Sequence, residues 1–161
     1  MCGVQAWLAV SASFGLGGFD THGTHDRNHM RQMMKILKGV DFLLGEAARQ
    51  GVADRLTVMV GSDFGRGPHY NGMGDGSGKD HWPITTMLFS GPGIRGGRLI
   101  GGTDERVKPL KVNPQTLALD PNGVKLQSEH IHLALRKLVG LDLAPQASRF
   151  PLPGEALNLF A

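Results

Sequence analysis

The 161-residue chain has 40% hydrophobic and 19% charged residues, a composition typical of one globular domain and not of a disordered chain. Its net charge of +3 is spread over scattered lysines and arginines, and only 6% of residues are aromatic, which favours a solvated surface over a nucleic-acid-binding face. No stretch approaches the roughly 18 apolar residues of a membrane span, and the single cysteine, Cys2, excludes an internal disulfide.

The first half of the chain predicts a strand followed by a long helix. Residues 4–10 form an apolar run typical of a strand. In the helix, apolar residues recur at three- and four-residue spacing, and we expect this stripe to pack in the core: Met30, Met33, Met34, Leu37, Val40, Leu44 and Ala47. Asp26 or Asn28 is expected to cap the helix, and Gly51 to end it.

Two uninterrupted apolar runs, residues 56–60 and 84–89, predict strands that are buried on both faces, as in parallel sheets. The strand–helix–strand order also favours a parallel crossover. We therefore predict an α/β fold, with a mostly parallel sheet flanked by helices, in a single domain over residues 1–161. Ser128 is expected to cap a second amphipathic helix that ends at Gly140, and residues 141–161 are expected to form an irregular tail.

The segment before the long helix is dense in side chains that can bind a metal ion. Asp20 and His22 are two residues apart, so they would lie on one face of an extended segment, and His25 follows them. Mixed oxygen and nitrogen ligands suit zinc or manganese. The alternative is that these residues are helix-capping polar groups and solvent-exposed histidines.

Two further clusters lie just outside the predicted strands. Asp63 follows residues 56–60, and a carboxylate there is costly unless it is paired or metal-bound. An ion pair with Arg66 is one alternative, and Arg66 could instead clamp a phosphate or sulfate. Asp80 and His81 precede the next strand. Because ligands bind beyond the carboxyl ends of parallel strands, we predict that the three clusters form a divalent-metal site that acts on an ester. Two ions would clamp the attacking and leaving oxygens, whereas one ion would polarise the ester or activate water.

Three motifs in this order, GFDTH, VMVGSDFGR and KDHWPITTMLFSGPGIRGG, resemble those of the bacterial domain-of-unknown-function family DUF1501. That family is often labelled sulfatase-like and belongs to the alkaline phosphatase and sulfatase superfamily. The resemblance spans about residues 4–143. It implies an alkaline phosphatase-like fold, hydrolysis of phosphate or sulfate esters, and a divalent metal cofactor, zinc first, with manganese or calcium as alternatives. It also implies that Asp20, His22 and His81 bind one ion and that Asp63 binds a second.

Two departures from the superfamily pattern bear on function. Phe64 follows Asp63 where many members have histidine, which weakens the second metal site. The superfamily nucleophile lies on a strand ahead of these motifs, so no nucleophile is assigned, and we expect the chain to represent the C-terminal part of the fold. Family members are commonly exported to the periplasm through a twin-arginine signal, and none is visible here.

The sequence therefore predicts a metal-dependent, hydrolase-like domain that acts on a small anionic ester, with Arg66 orienting the anion or supporting Asp63. His25 and Asp80 are candidates for additional ligands. The alternative is a non-catalytic, metal-binding relic or a protein-interaction module. Because an incomplete sheet exposes an edge or an apolar face, we also expect self-association into a homo-oligomer.

Overall fold

The computed structural model describes residues 11–161, so the strand expected at residues 4–10 lies outside the described residues. In chain order the helices and strands are α1 (His25–Arg49), a 3-10 helix (Ala53–Arg55), β1 (Val58–Val60), β2 (Gly65–Tyr70), β3 (Lys79–Trp82), β4 (Leu88–Ser90), β5 (Lys111–Val112), β6 (Val124–Lys125), α2 (Ser128–Leu138) and α3 (Pro145–Arg149). Within the described residues, no helix combines the length and apolar character that crossing a membrane requires.

In the described part of the chain, the strands form three separate antiparallel pairs: β1 with β4, β2 with β3, and β5 with β6. The expected alkaline phosphatase-like α/β fold, with a mostly parallel sheet flanked by helices, is therefore wrong. An apolar run favours a strand but does not set its direction. The chain between β1 and β4 contains the β2–β3 pair and no helix that could carry a parallel crossover. Full burial of β1 is also not observed, because Met59 is 52% exposed.

Helix α1 lies where the periodicity predicts it, but its cap residue and the burial of its apolar face differ from the prediction. Thr24, with φ of 48° in the left-handed region, precedes the first turn, so Asp26 and Asn28 lie inside the helix and do not cap it. Gly51, with φ of 68°, ends the helix as expected. Much of the apolar stripe is exposed, namely Met30, Met33, Met34 and Leu37. Periodicity identifies an apolar face, but it does not supply the element that covers that face.

The buried core lies in the second half of the chain and is built on α2. Ala134 of α2 packs with Leu157, Leu159 and Phe160. Other apolar residues of the same helix pack around them, namely Ile131, Leu135 and Leu138. The Phe160 ring contacts the Phe89 ring at a centroid distance of 5.0 Å, which joins β4 to this core. Residues 141–161 thus include α3 and also contribute three of the most buried side chains of the described part of the chain.

The residue before α2 is Gln127, and Ser128 is the first helical residue, so the expected serine cap is not formed. The backbone N–H of Gln127 donates to Nδ1 of His130 at 3.0 Å, and His130 is buried. Gly140 follows the helix with φ of 69°, which agrees with its predicted role as the stop.

Candidate metal centre

The segment that precedes α1 lies alongside the glycine-rich loop that precedes β3. The backbone N–H of Thr24 donates to the carbonyl of Gly76, and that of His25 donates to the carbonyl of Ser77, both at 3.0 Å. In the opposite direction, from β3 to the segment before α1, the backbone N–H of Lys79 donates to the carbonyl of Thr21 at 3.1 Å. These bonds place residues 21–25 beside the start of β3, the strand that carries Asp80 and His81.

Asn71 and Gly78 fix how closely His22 approaches this loop. Asn71 accepts a hydrogen bond from the Gly78 N–H at 2.8 Å and donates its own side-chain N–H to the His22 carbonyl at 3.0 Å. A Cβ atom on Gly78 would overlap the carbonyl carbon and oxygen of His22. Neither residue is recognisable as part of the site from its type alone, although the dense run of glycines from position 72 to 78 marks a close backbone approach.

The side chains of Asp20, His22 and His81 converge on one point. Asp20 Oδ1 lies 3.1 Å from Nε2 of His22 and 3.1 Å from Nε2 of His81, and the two nitrogens are 3.1 Å apart. Within residues 11–161, they form the one group of three or more His, Cys, Asp or Glu side chains whose ligand atoms lie within 4.8 Å of one another. All three side chains are exposed, so a water or substrate could reach the same point.

This donor set fits zinc. Zinc bonds of ~2.0–2.1 Å in a tetrahedral arrangement separate neighbouring ligand atoms by about 3.3 Å, close to the spacing observed here. Two imidazoles and one carboxylate also give the three protein ligands that are typical of catalytic zinc sites, which leave a fourth position open. Calcium prefers a larger number of oxygen ligands, so it fits this set less well.

Asp80 contacts the second ring nitrogen of His22 and orients the imidazole. Asp80 Oδ1 lies 3.2 Å from Nδ1 of His22, on the far side of the ring from Asp20 and His81. A carboxylate at one imidazole nitrogen fixes the tautomer and leaves the other nitrogen available for a metal ion. In this structure, Asp80 is therefore placed as a supporting residue of His22.

Phe64, which follows Asp63, packs on the other histidine of the centre. Its ring lies 4.1 Å from the His81 ring between centroids, with an angle of 31° between the planes. This stacking restricts the orientation of the His81 imidazole. An aromatic side chain therefore lies against His81, one of the three candidate ligands.

Arg66 is committed to Asp20 and to the backbone. It lies on β2 directly opposite His81, and its side chain is 9% exposed. Its Nη2 donates to Asp20 Oδ1 at 2.7 Å and to the Phe19 carbonyl at 2.9 Å, while Nη1 donates to the Lys79 carbonyl at 2.9 Å. The Arg66 hydrogen bond, followed by that of His81, lowers the pKa of Asp20 to about 2, which keeps this carboxylate ionised.

The structure places Asp63 and His25 outside this group. Asp63 is exposed, and its Oδ1 accepts the N–H of the adjacent Phe64 at 3.1 Å; the alternative Asp63–Arg66 ion pair is replaced by the Asp20–Arg66 pair. His25 is buried, contacts Thr21 Oγ1 at 2.7 Å and stacks on His29, and burial lowers its pKa. His25 therefore anchors the first turn of α1.

Comparison with known proteins gives one family. The model of the family described as "Protein of unknown function (DUF1501)" matches residues 10–144, a range that contains Asp20, His22, Asp63 and His81. No curated protein and no solved structure matches the chain significantly.

Proposed function

Because the chain belongs to the DUF1501 family, whose function is unknown, we propose a function from the site itself. Asp20, His22 and His81 hold a divalent metal ion, zinc in the first place, with manganese or calcium as alternatives. The observation that carries this proposal is the triangle of donor atoms with three edges of 3.1 Å. Support comes from Asp80 behind His22, which is the arrangement that orients metal-binding histidines.

We further propose that this centre acts on a small phosphate or sulfate ester, as a metal-dependent hydrolase-like domain. A bound zinc ion would polarise the ester and lower the pKa of a water molecule. The residues of the chain bind the ion, hold its ligands in position and leave room for the ester. Arg66 keeps Asp20 ionised and in place, Phe64 and Asp80 hold the two imidazoles, and the exposed face of the centre admits the ester.

Metal content tests the first part of the proposal. Protein purified without chelators or a histidine tag should retain close to one equivalent of zinc by elemental mass spectrometry. His81→Ala should lose it, whereas His69→Ala, which removes an exposed histidine outside the centre, should keep it. Asp63→Ala decides whether a second ion binds, because only a second site would lose metal in that variant. Absence of zinc, together with no thermal stabilisation when zinc is added, would contradict the proposal.

Turnover tests the second part. Zinc-loaded protein should hydrolyse aryl phosphate or aryl sulfate esters, and a chelator should abolish the reaction. Protein that retains zinc but turns over neither ester would support the alternative, a non-catalytic metal-binding relic.

The exposed stripe of α1 favours a second candidate function, that of a protein-interaction module that self-associates. Met30 is 64% exposed, Met34 47% and Leu37 49%, and they lie on one side of a 25-residue helix. Contiguous exposed apolar side chains of this kind mark interaction surfaces. Sedimentation at working concentration should show a homo-oligomer that Leu37→Glu dissociates. A monodisperse monomer in the unsubstituted protein would contradict self-association.

A further inference from the structure

We propose that a cleft next to the metal centre, called here the α1 cleft, binds a second anionic group on the substrate. One wall is formed by Gly18, Asp20 and Thr21. The other wall is formed by four residues of α1, and the volume is about 400 Å³; these four residues are Asn28, Arg31, Gln32 and Lys35. Asp20 belongs both to this wall and to the donor triangle, so one small molecule could occupy the cleft and reach the centre. The inference rests on the proposed function for the end of the ligand that meets the metal.

The cleft contains two cationic side chains that are unpaired within residues 11–161, Arg31 and Lys35. Arg31 and Lys35 are four residues apart, so their side chains lie on the same face of α1. Neither side chain forms a hydrogen bond or an ion pair with another residue in the described range 11–161, whereas Arg66 is fully engaged with Asp20 and the backbone. Because the Arg66 guanidinium compensates the Asp20 carboxylate, the two cations on α1 set the charge of the cleft.

The shape of the cleft depends on Gly18. The Gln32 carboxamide packs directly against this residue, and a Cβ at position 18 would overlap Gln32 Nε2. Gly18 also has φ of 88°, which disfavours any other residue. Asn28 adds a carboxamide without a side-chain hydrogen bond to any described residue, and it can both donate to and accept from a ligand.

These features define a class of ligand. The guanidinium of Arg31 and the ammonium of Lys35 suit a carboxylate, phosphate or sulfate, and the donor triangle is proposed to take the ester group. The inferred substrate is therefore a phosphate or sulfate ester whose alcohol portion carries a second acidic group, in preference to a simple aryl or alkyl ester.

A pair of matched probes tests this preference. Phenylphosphonate and 4-carboxyphenylphosphonate differ only by the second acidic group, and neither contains the ester bond that the zinc-loaded protein is proposed to hydrolyse. The zinc-loaded protein should bind the carboxylated probe about five-fold more tightly, as measured by isothermal titration calorimetry. This factor corresponds to the upper end of the free energy of solvent-exposed ion pairs. The double variant Arg31→Gln/Lys35→Gln should lose this preference. The control Arg27→Gln/Lys38→Gln removes the same charge from exposed positions of α1 outside the cleft and should keep it.

A second measurement separates this inference from the proposed function. In metal-free protein, 4-carboxyphenylphosphonate should still shift the backbone amide signals of Gly18 and Asn28 in NMR spectra, and the Arg31→Gln/Lys35→Gln variant should lose these shifts. Failure to take up zinc would overturn the metal proposal and leave the cleft to be judged by this titration. Equal affinity for both probes, or equal loss in the two double variants, would overturn the α1 cleft.

Discussion

Replacing Gly78 with alanine should damage the metal centre from a position that contributes no ligand. The added methyl group would overlap the carbonyl of His22, so the two backbones must separate by more than about 1 Å to reach ordinary van der Waals distance. This movement would break the Asn71 bridge, which joins the Gly78 N–H to the His22 carbonyl. Two lost hydrogen bonds and the local overpacking predict a destabilisation of about 1–3 kcal/mol.

Metal binding should weaken by a free energy similar to the loss in folding stability. His22 would move by about 1 Å, whereas its Nε2 lies 3.1 Å from each of the other two donor atoms. Changes in the shell that supports metal ligands typically weaken binding about 10- to 100-fold. We therefore expect a loss of this size in zinc affinity, measured by competition with a chromophoric chelator, at a temperature where urea unfolding shows that the variant is folded.

Gly76→Ala supplies the matched control. Gly76 lies two residues away in the same loop, and a Cβ there would meet no atom within 4 Å. Its stability and zinc affinity should remain within error of the original protein, or its stability should rise slightly because alanine restricts the unfolded chain. Equal zinc affinity of Gly78→Ala and Gly76→Ala would show that the close backbone approach does not position His22.

Three further outcomes are expected. Arg66→Gln should raise the pKa of Asp20 from about 2 toward the usual 3.8, because the Arg66 hydrogen bond is the main cause of the lowering; carboxyl-carbon NMR of metal-free protein measures it, and an unchanged midpoint would contradict this cause. Because burial lowers the pKa of His25 below 6.5, the unfolded state binds the extra proton, so urea unfolding should show stability falling as pH drops through 6.5, and falling less in His25→Gln. Leu157→Ala should cost about 2–5 kcal/mol in urea unfolding, against about 0.5 kcal/mol or less for Leu143→Ala, since Leu157 is 2% and Leu143 93% exposed. Equal costs at these two positions would place the core elsewhere.

The helices could be predicted from the sequence because their signals are local. The apolar spacing and the glycines at positions 51 and 140 specify where α1 and α2 lie and end, and both glycines adopt positive φ as expected. The direction of strand pairing is not a local property. Residues 56–60 and 84–89 have the same apolar character in a parallel or an antiparallel sheet, and the intervening chain decides between them.

The residues of the candidate site divide in the same way. Asp20, His22 and His81 could be selected from the sequence because their side-chain chemistry and their order along the chain suit a metal ion. The roles of Asn71 and Phe64 could not be selected, because each depends on a contact made far away in the chain. Asn71 binds the carbonyl of His22, and Phe64 stacks on His81, and neither residue type suggests a metal centre by itself.

The contact between Asp20 and His81 also joins two distant parts of the chain. These residues are 61 positions apart, and the intervening loop contains all of α1, β1 and β2. A permanent link that closes a loop of this length lowers the entropy of the unfolded chain by an amount equivalent to about 4 kcal/mol in the cross-link description. An ion that both side chains bind only in the folded state would instead stabilise the fold by mass action, so withdrawing it with a chelator should lower the free energy of unfolding as well as remove the proposed chemistry.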